Sequence, residues 1–361
     1  MNNKIYFTPG PSELYPTIGK HIQQALDDKI GAISHRSKQF QEIYAHTENQ
    51  LRTFLKLPDN YTILFLASAT EIWERILQNT VAHTSFHLVN GSFSKKFYEC
   101  ASELGRTGLK VESKFGEGFY PEQIAVPAET ETICLTHNET SSGVSMPVAD
   151  INQFRAKHAE ALIYVDSVSS LPYPEFDYSK IDSTYFSVQK CFGMPAGLGV
   201  WLVNERVIAK AEAMDKKGIS IGTYHTLPSL LSKAKENQTP ETCNVLYIYL
   251  LGKIVEDMNK IGVTEIRMAI DRKAKLVYDY LQKSKVFSPA VADVRLRSQT
   301  TIVANTSIGS AEVNKQLAAF DMAVGTGYGN YKDQQIRIAN FPAHSEHDMQ
   351  QLVAKLQACF G

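Results

Sequence analysis

The stretch YFSVQKCFGMPAGLGVW, Tyr185 to Trp201, places a lysine where an apolar run stops. With apolar residues on both sides, the Lys190 ammonium is expected to lie partly out of water. Desolvation favours the neutral amine, which is a nucleophile towards aldehydes. Four other apolar runs also end in residues of defined chemistry. ILFLA leads to Ser68, Ala69 and Thr70 at the start of a helical pattern, and FHLV leads to Asn90, Gly91, Ser92 and Phe93. ICLT leads to His137, Asn138, Glu139 and Thr140, and LIYV leads to Asp166 and Ser167. Each piece alone has an ordinary explanation: Ser68 as a helix cap, Asp166 or Thr140 as a turn residue, Phe93 as core. As an ordered set they describe one chemistry. A neutral lysine condenses with an aldehyde cofactor, and a carboxylate keeps a pyridine nitrogen protonated. A helix N-terminus binds phosphate through its N–H groups, and an aromatic ring stacks on the cofactor. Pyridoxal phosphate is the cofactor that uses all four.

Residues so far apart need a scaffold that collects strand ends on one edge. The runs 61–68, 85–92, 131–143, 161–170, 182–190 and 198–205 are rich in Val, Ile, Leu, Phe and Tyr, as strands buried on both faces are. Helical patterns follow several of them. This predicts an α/β fold with a doubly wound, mostly parallel sheet, whose ligands bind at the carboxyl ends of the strands. From about residue 245 the texture changes. NVLYIYLLGKIVEDMNKIG and VTEIRMAIDRKAKLVYDYLQKS read as long helices, RSQTTIVANTS and QQIRIANF as strands, and AEVNKQLAAFD and HDMQQLVAKLQACF as helices. The expected division is a large domain over 1–245 and a smaller α+β domain with antiparallel strands over 246–361.

Composition narrows the classes. A formal net charge of -1 over 361 residues argues against nucleic acid or an anionic membrane surface as partner. Five scattered cysteines without C-x-x-C spacing argue against a disulfide framework or zinc site and for a reducing compartment. No apolar run has membrane-span length. MNNKIYFTPGP lacks the apolar core of a signal peptide, so a cytoplasmic protein is expected.

FTPGPSELYP, ISHRSKQF (33–40), THNETSSGV, YVDSVSS, SVQK, QTPETCNVLYIY, RSQTTIVAN and QQIRIANF together carry a resemblance. Over nearly its whole length the chain resembles the class V, fold-type I aminotransferases, and most closely the phosphoserine-specific branch. The resemblance implies that Lys190 holds the cofactor and carries the proton of the substrate Cα, while Asp166 pairs with the ring nitrogen. It implies that Thr140 bonds on the phenolic-oxygen side, that Phe93 stacks, and that Ala69, Thr70 and Gln189 bind the phosphate. Gln238 and Thr239 would reach the cofactor phosphate of a neighbouring subunit, which implies a homodimer with shared sites. Arg337 would clamp the substrate α-carboxylate, and His35 and Arg36 would meet a distal phosphate. The N-terminal arm would help build the substrate site.

Three departures accompany the resemblance. Phe93 stands where the family uses Trp, and the phosphate loop reads ASATE rather than a glycine-rich run. The family's His-Arg pair before the carboxylate-binding strand is missing from VGTGYGNYKDQQIR, where Lys332 is the nearest substitute. The expected reaction is transamination between O-phosphoserine and 2-oxoglutarate in serine biosynthesis. The alternative is a class V transaminase for serine or alanine with glyoxylate or pyruvate. A cysteine desulfurase would need a mobile-loop cysteine, and neither Cys191 nor Cys359 is so placed. A nucleotide-binding module would need G-x-G-x-x-G after the first strand, which LASATEIW lacks.

Overall fold

In the computed structural model, which describes residues 4–361, the apolar runs pair into two main sheets. The strands are β1 (Ile5–Phe7), β2 (Tyr61–Leu66), β3 (Thr84–Val89), β4 (Thr107–Glu112), β5 (Thr132–Thr136), β6 (Asn138–Glu139), β7 (Val144–Ser145), β8 (Leu162–Asp166), β9 (Ser183–Ser187) and β10 (Gly199–Asn204). They continue with β11 (Phe287–Pro289), β12 (Thr301–Thr306), β13 (Met322–Thr326) and β14 (Gln335–Ala339). The helices are α1 (Ile18–Asp27), α2 (Lys38–Leu55), α3 (Ala69–Thr80), α4 (Ser92–Glu103), α5 (Val148–Lys157), α6 (Glu205–Lys216), α7 (Leu227–Ala234), α8 (Val245–Ile261), α9 (Val263–Lys283), α10 (Ser310–Ala318) and α11 (Glu346–Phe360).

The larger sheet has the order β2-β10-β9-β8-β5-β3-β4, and only β10 runs against its neighbours. The fold is α/β, as expected, with helices on both faces of this sheet. One face carries a core that takes in Phe40 and Tyr44 of α2, Ile151 and Phe154 of α5 and Ile248 to Met258 of α8. The other carries Ile72, Trp73 and Ile76 of α3, Phe97 of α4, Val207 of α6 and Leu227 of α7. All five residues of β8 are buried. Each of its aliphatic side chains contributes about 1.5–3 kcal/mol by leaving water, which is why the run shows no polar alternation.

Away from the site, the start of β9 is fixed electrostatically. Asp182 is 1% exposed and is bonded by Arg155, by Arg206 and by the Asn204 side chain. Truncating one partner of such a cluster leaves a buried charge uncompensated, so strand positions along the sheet are firmly set.

The second sheet has the order β1-β13-β14-β12-β11, with β1 parallel to β13 and the remaining pairs antiparallel. Its own core joins Phe7, Val277, Leu281, Ile302, Ile336, Ile338 and Leu352. Sequence reading did not anticipate β1, β4 or β13. β4, TGLKVE, is an edge strand with little burial, and β1 has only three residues. Among the described residues no helix is long and apolar enough to cross a membrane. No cluster of three metal-binding side chains occurs among them either.

Candidate active site

The carboxyl ends of β2, β3, β5, β8 and β9 surround a cavity of about 270 Å³. Lys190, three residues past β9, lines it and is only 7% exposed. Its Nζ donates to Thr140 Oγ1 at 3.1 Å and lies 5.2 Å from the centre of the Phe93 ring. Among the described residues no carboxylate lies within ion-pair distance of it. Burial pushes its pKa down from 10.5 to about 8, against the opposing pull of Asp166. A buried amine without a counter-ion is costly unless it has work to do.

Asp166 ends β8 and also lines the cavity. Its Oδ1 accepts from the Val168 N–H at 3.0 Å and its Oδ2 from the Trp73 indole N–H at 3.1 Å. Burial raises its pKa, while the Val168 N–H, the Lys190 charge and the Trp73 indole oppose that rise. Trp73 was not anticipated. In sequence it lies on the apolar face of α3 and reads as core, and it does stack on Phe97 at 5.6 Å.

Ser68 caps α3 by accepting from the Glu71 N–H at 3.1 Å. This leaves Ala69 and Thr70 at the cavity, where the first N–H groups of the helix favour an anion. The loop sits directly on β10. A Cβ at Gly199 would lie 2.5 Å from the Ser68 carbonyl carbon, so only glycine allows that approach. Gln189 also lines the cavity. The N-terminal arm crosses at Gly10, whose φ is +132° and whose Cβ would meet Lys190 Cε at 2.9 Å. The expectation that this arm helps build the site therefore has a geometric counterpart.

Phe93 is the second residue of α4, whose N-terminus is tied to the Thr140 loop by Glu139. That buried carboxylate accepts from the Ser94 N–H and hydroxyl, each at 2.9 Å, and from the Ser141 hydroxyl at 2.6 Å. Arg337 enters from β14. Its Nε donates to the Thr326 carbonyl at 2.7 Å, its Nη1 to the Thr140 carbonyl at 3.3 Å, and its guanidinium faces the Tyr328 ring at 5.3 Å. Ile336 and Ile338 on either side are fully buried in the small core, so alternation turns Arg337 the other way, into the cavity.

The remaining four expected residues do not line this cavity. They form a second cluster. Arg36 Nη1 donates to Gln238 Oε1 at 2.8 Å and to the Thr239 carbonyl at 2.6 Å, and Nη2 donates to the Pro240 carbonyl at 2.8 Å. His35 lies beside it, half-buried. Lys332 is exposed and does not line the cavity either.

The segment that carries Gln238 and Thr239 is tied to the phosphate helix by His225. Its Nδ1 pairs with Glu71 at 2.5 Å and its Nε2 with Glu241 at 2.9 Å. The bonds to Glu241 and then Glu71 raise its pKa from 6.5 to about 9. A histidine raised on folding stabilises fully below its unfolded pKa, and that contribution is lost as pH rises through the folded value. Relative to His225→Gln, the wild type is expected to gain a constant increment in melting temperature below about pH 6.5. The increment should shrink to nothing as pH passes about 9. A gap that stays constant across that range would show that the imidazole is not charged there.

Comparison with known proteins places this geometry. Residues 5–330 match the family model described as aminotransferase class-V. A phosphoserine aminotransferase from Cytophaga hutchinsonii is 63% identical, with all of both chains covered and a TM-score of 0.99. A phosphoserine aminotransferase from Rhodococcus opacus is 28% identical over 97% of this chain and 93% of its own. A pyridoxal-phosphate-bound phosphoserine aminotransferase from Trichomonas vaginalis, 18% identical, shares the fold with a TM-score of 0.80 over 98% of this chain and 100% of its own.

Proposed function

The chain belongs to the class-V aminotransferase family, and we propose that it moves the amino group of O-phosphoserine to 2-oxoglutarate, the transamination of serine biosynthesis. It is a pyridoxal-phosphate enzyme. The observation that carries the reading is that Lys190, Asp166 and Arg337 line one cavity. The 63% identity to a protein described as a phosphoserine aminotransferase supports the choice of substrate.

The residues present fit the cofactor. The buried, unpaired amine of Lys190 suits its aldehyde, the buried carboxylate of Asp166 its ring nitrogen, the start of α3 its phosphate, and Phe93 its ring face. When bound, pyridoxal phosphate supplies an aldehyde for the amino group and a cationic ring that accepts the electron pair released at the substrate Cα. The protein supplies the rest. Thr140 holds Lys190 Nζ through a hydrogen bond. With its pKa near 8, Nζ can give and take the Cα proton close to neutral pH. Val168 and Trp73 hold both oxygens of Asp166 and still leave a lone pair on each for a ring nitrogen. Arg337 keeps donors free for the substrate α-carboxylate, because its Nη2 has no partner among the described residues.

The cluster of His35, Arg36, Gln238 and Thr239 belongs to the same reading. In a homodimer it would serve the partner's site, with Gln238 and Thr239 at the cofactor phosphate and His35 and Arg36 at the substrate. A smaller unit over 246–361 has a second sheet and core, which also take in Phe7 of β1, while α8 at its start packs on the large sheet, and cytoplasmic residence fits five free cysteines. A visible spectrum tests the central claim. The purified protein is expected to be yellow, and the colour should bleach with phosphoserine but not with serine. Equal bleaching by serine would favour the alternative, a transaminase for unphosphorylated amino acids.

A further inference from the structure

Substrates of this kind carry a second anionic group, and the sequence region expected to supply its His-Arg pair contains none. We propose that Lys96, held by Tyr328, supplies the cation that the missing pair would have given and receives the distal anion of the substrate alongside His35 and Arg36. The inference rests on the phosphoserine reading above.

Lys96 lies three residues after Phe93 on α4, so the two share a helix face. Phe93 is part of the cavity wall. The Lys96 ammonium stands 5.6 Å from the centre of the Phe93 ring, 5.6 Å from that of Tyr328, and donates to Tyr328 Oη at 3.1 Å. The two rings meet at 5.2 Å. Tyr328 comes from the opposite side, on the connection between β13 and β14. The bond from Lys96 to Tyr328 therefore joins α4 to the β13–β14 connection beside two rings of the cavity wall.

Charge bookkeeping singles out this lysine. Its neighbour Lys95 pairs with Glu99 one turn on, at 3.6 Å. Lys96 has no carboxylate within ion-pair distance among the described residues. Among the described residues its exposed ammonium is met by the Tyr328 hydroxyl and two π-faces, a setting that an anion improves. Arg337 faces the same Tyr328 ring at 5.3 Å. One ring thus has a guanidinium within the cavity on one side and an ammonium at the mouth on another. A ligand whose α-carboxylate sits on Arg337 directs its side chain past Tyr328 towards Lys96. The chemistry selected is a small amino or oxo acid with a second anion, a phosphate ester or a carboxylate. Both the donor phosphoserine and the acceptor 2-oxoglutarate qualify, and one site must accept both in turn.

Lys96→Met is expected to raise KM for phosphoserine and for 2-oxoglutarate by on the order of 10–100-fold, the cost of one charge-assisted hydrogen bond, with kcat little changed. KM for serine and for pyruvate, which lack the distal anion, should stay put. Lys96→Arg should restore most of the loss, and the salt dependence of wild-type KM for phosphoserine should flatten in Lys96→Met. Unchanged KM for both dianionic substrates, in a protein whose wild type prefers phosphoserine to serine, would overturn the role of Lys96 and leave the function standing. A wild type that uses serine as well as phosphoserine would overturn the function. In that case 2-oxoglutarate against pyruvate alone decides Lys96: a selective rise upholds it and no rise overturns it.

Discussion

Lys190→Ala is expected to lower turnover by ~10⁴-fold or more, since it removes both the attachment point of the cofactor and the group that moves the Cα proton. Borohydride treatment and peptide mapping should find residue 190 modified in the wild type and nothing comparable in the variant. Stability separates lost chemistry from lost fold. Burial holds the Lys190 pKa near 8, below its ordinary 10.5. The unfolded chain therefore binds that proton more tightly, and the ionised lysine weakens the fold below about pH 8. Cofactor-free Lys190→Ala should accordingly melt no lower than the cofactor-free wild type at pH 7. Substantial turnover in this variant would move the chemistry to another residue.

Asp166→Asn is expected to cost on the order of 10²–10³-fold in kcat, the usual size for removing one preorganised electrostatic partner. The substitution leaves one oxygen to accept from either the Val168 N–H or the Trp73 indole and sets an amide NH2 against the other donor, so the charge and one of the two hydrogen bonds are lost. Arg337 lies elsewhere in the cavity, so KM should change little. Burial disfavours the carboxylate, but the amide leaves one buried N–H without an acceptor, so the melting temperature should fall modestly. A kcat within tenfold of wild type would mean that the charge of Asp166 is not what the reaction draws on.

Both residues were legible because strand ends in a parallel sheet converge, and a run such as LIYVD or YFSVQK marks its own end. Arg337 was singled out by the family resemblance, since its alternation with Ile336 and Ile338 alone reads equally well as an outward strand residue. Trp73 was not: four residues into α3, an indole on an apolar face looks like core, and only β8 beside it turns its N–H into a partner for Asp166. Glu139 was named at a strand end but without a role, since it acts by receiving the start of a helix that sequence places elsewhere. Lys96 and Tyr328 are 232 positions apart, and no local spacing connects them. β1 escaped notice because three residues carry no periodicity, and its pairing with β13 is a tertiary fact.

The long-range pairings set the order in which a nascent chain can finish. β2, at the edge of its sheet among the described residues, meets β10 at Leu66 and Gly199, and β1 meets β13 at Ile5 and Met322. On the ribosome, the opening strand thus stays without its mate until almost everything else has been translated. Non-local contacts of this kind slow folding and prolong the exposure of sticky edges. Newly made polypeptide therefore depends on protection from self-association up to the last stages of synthesis.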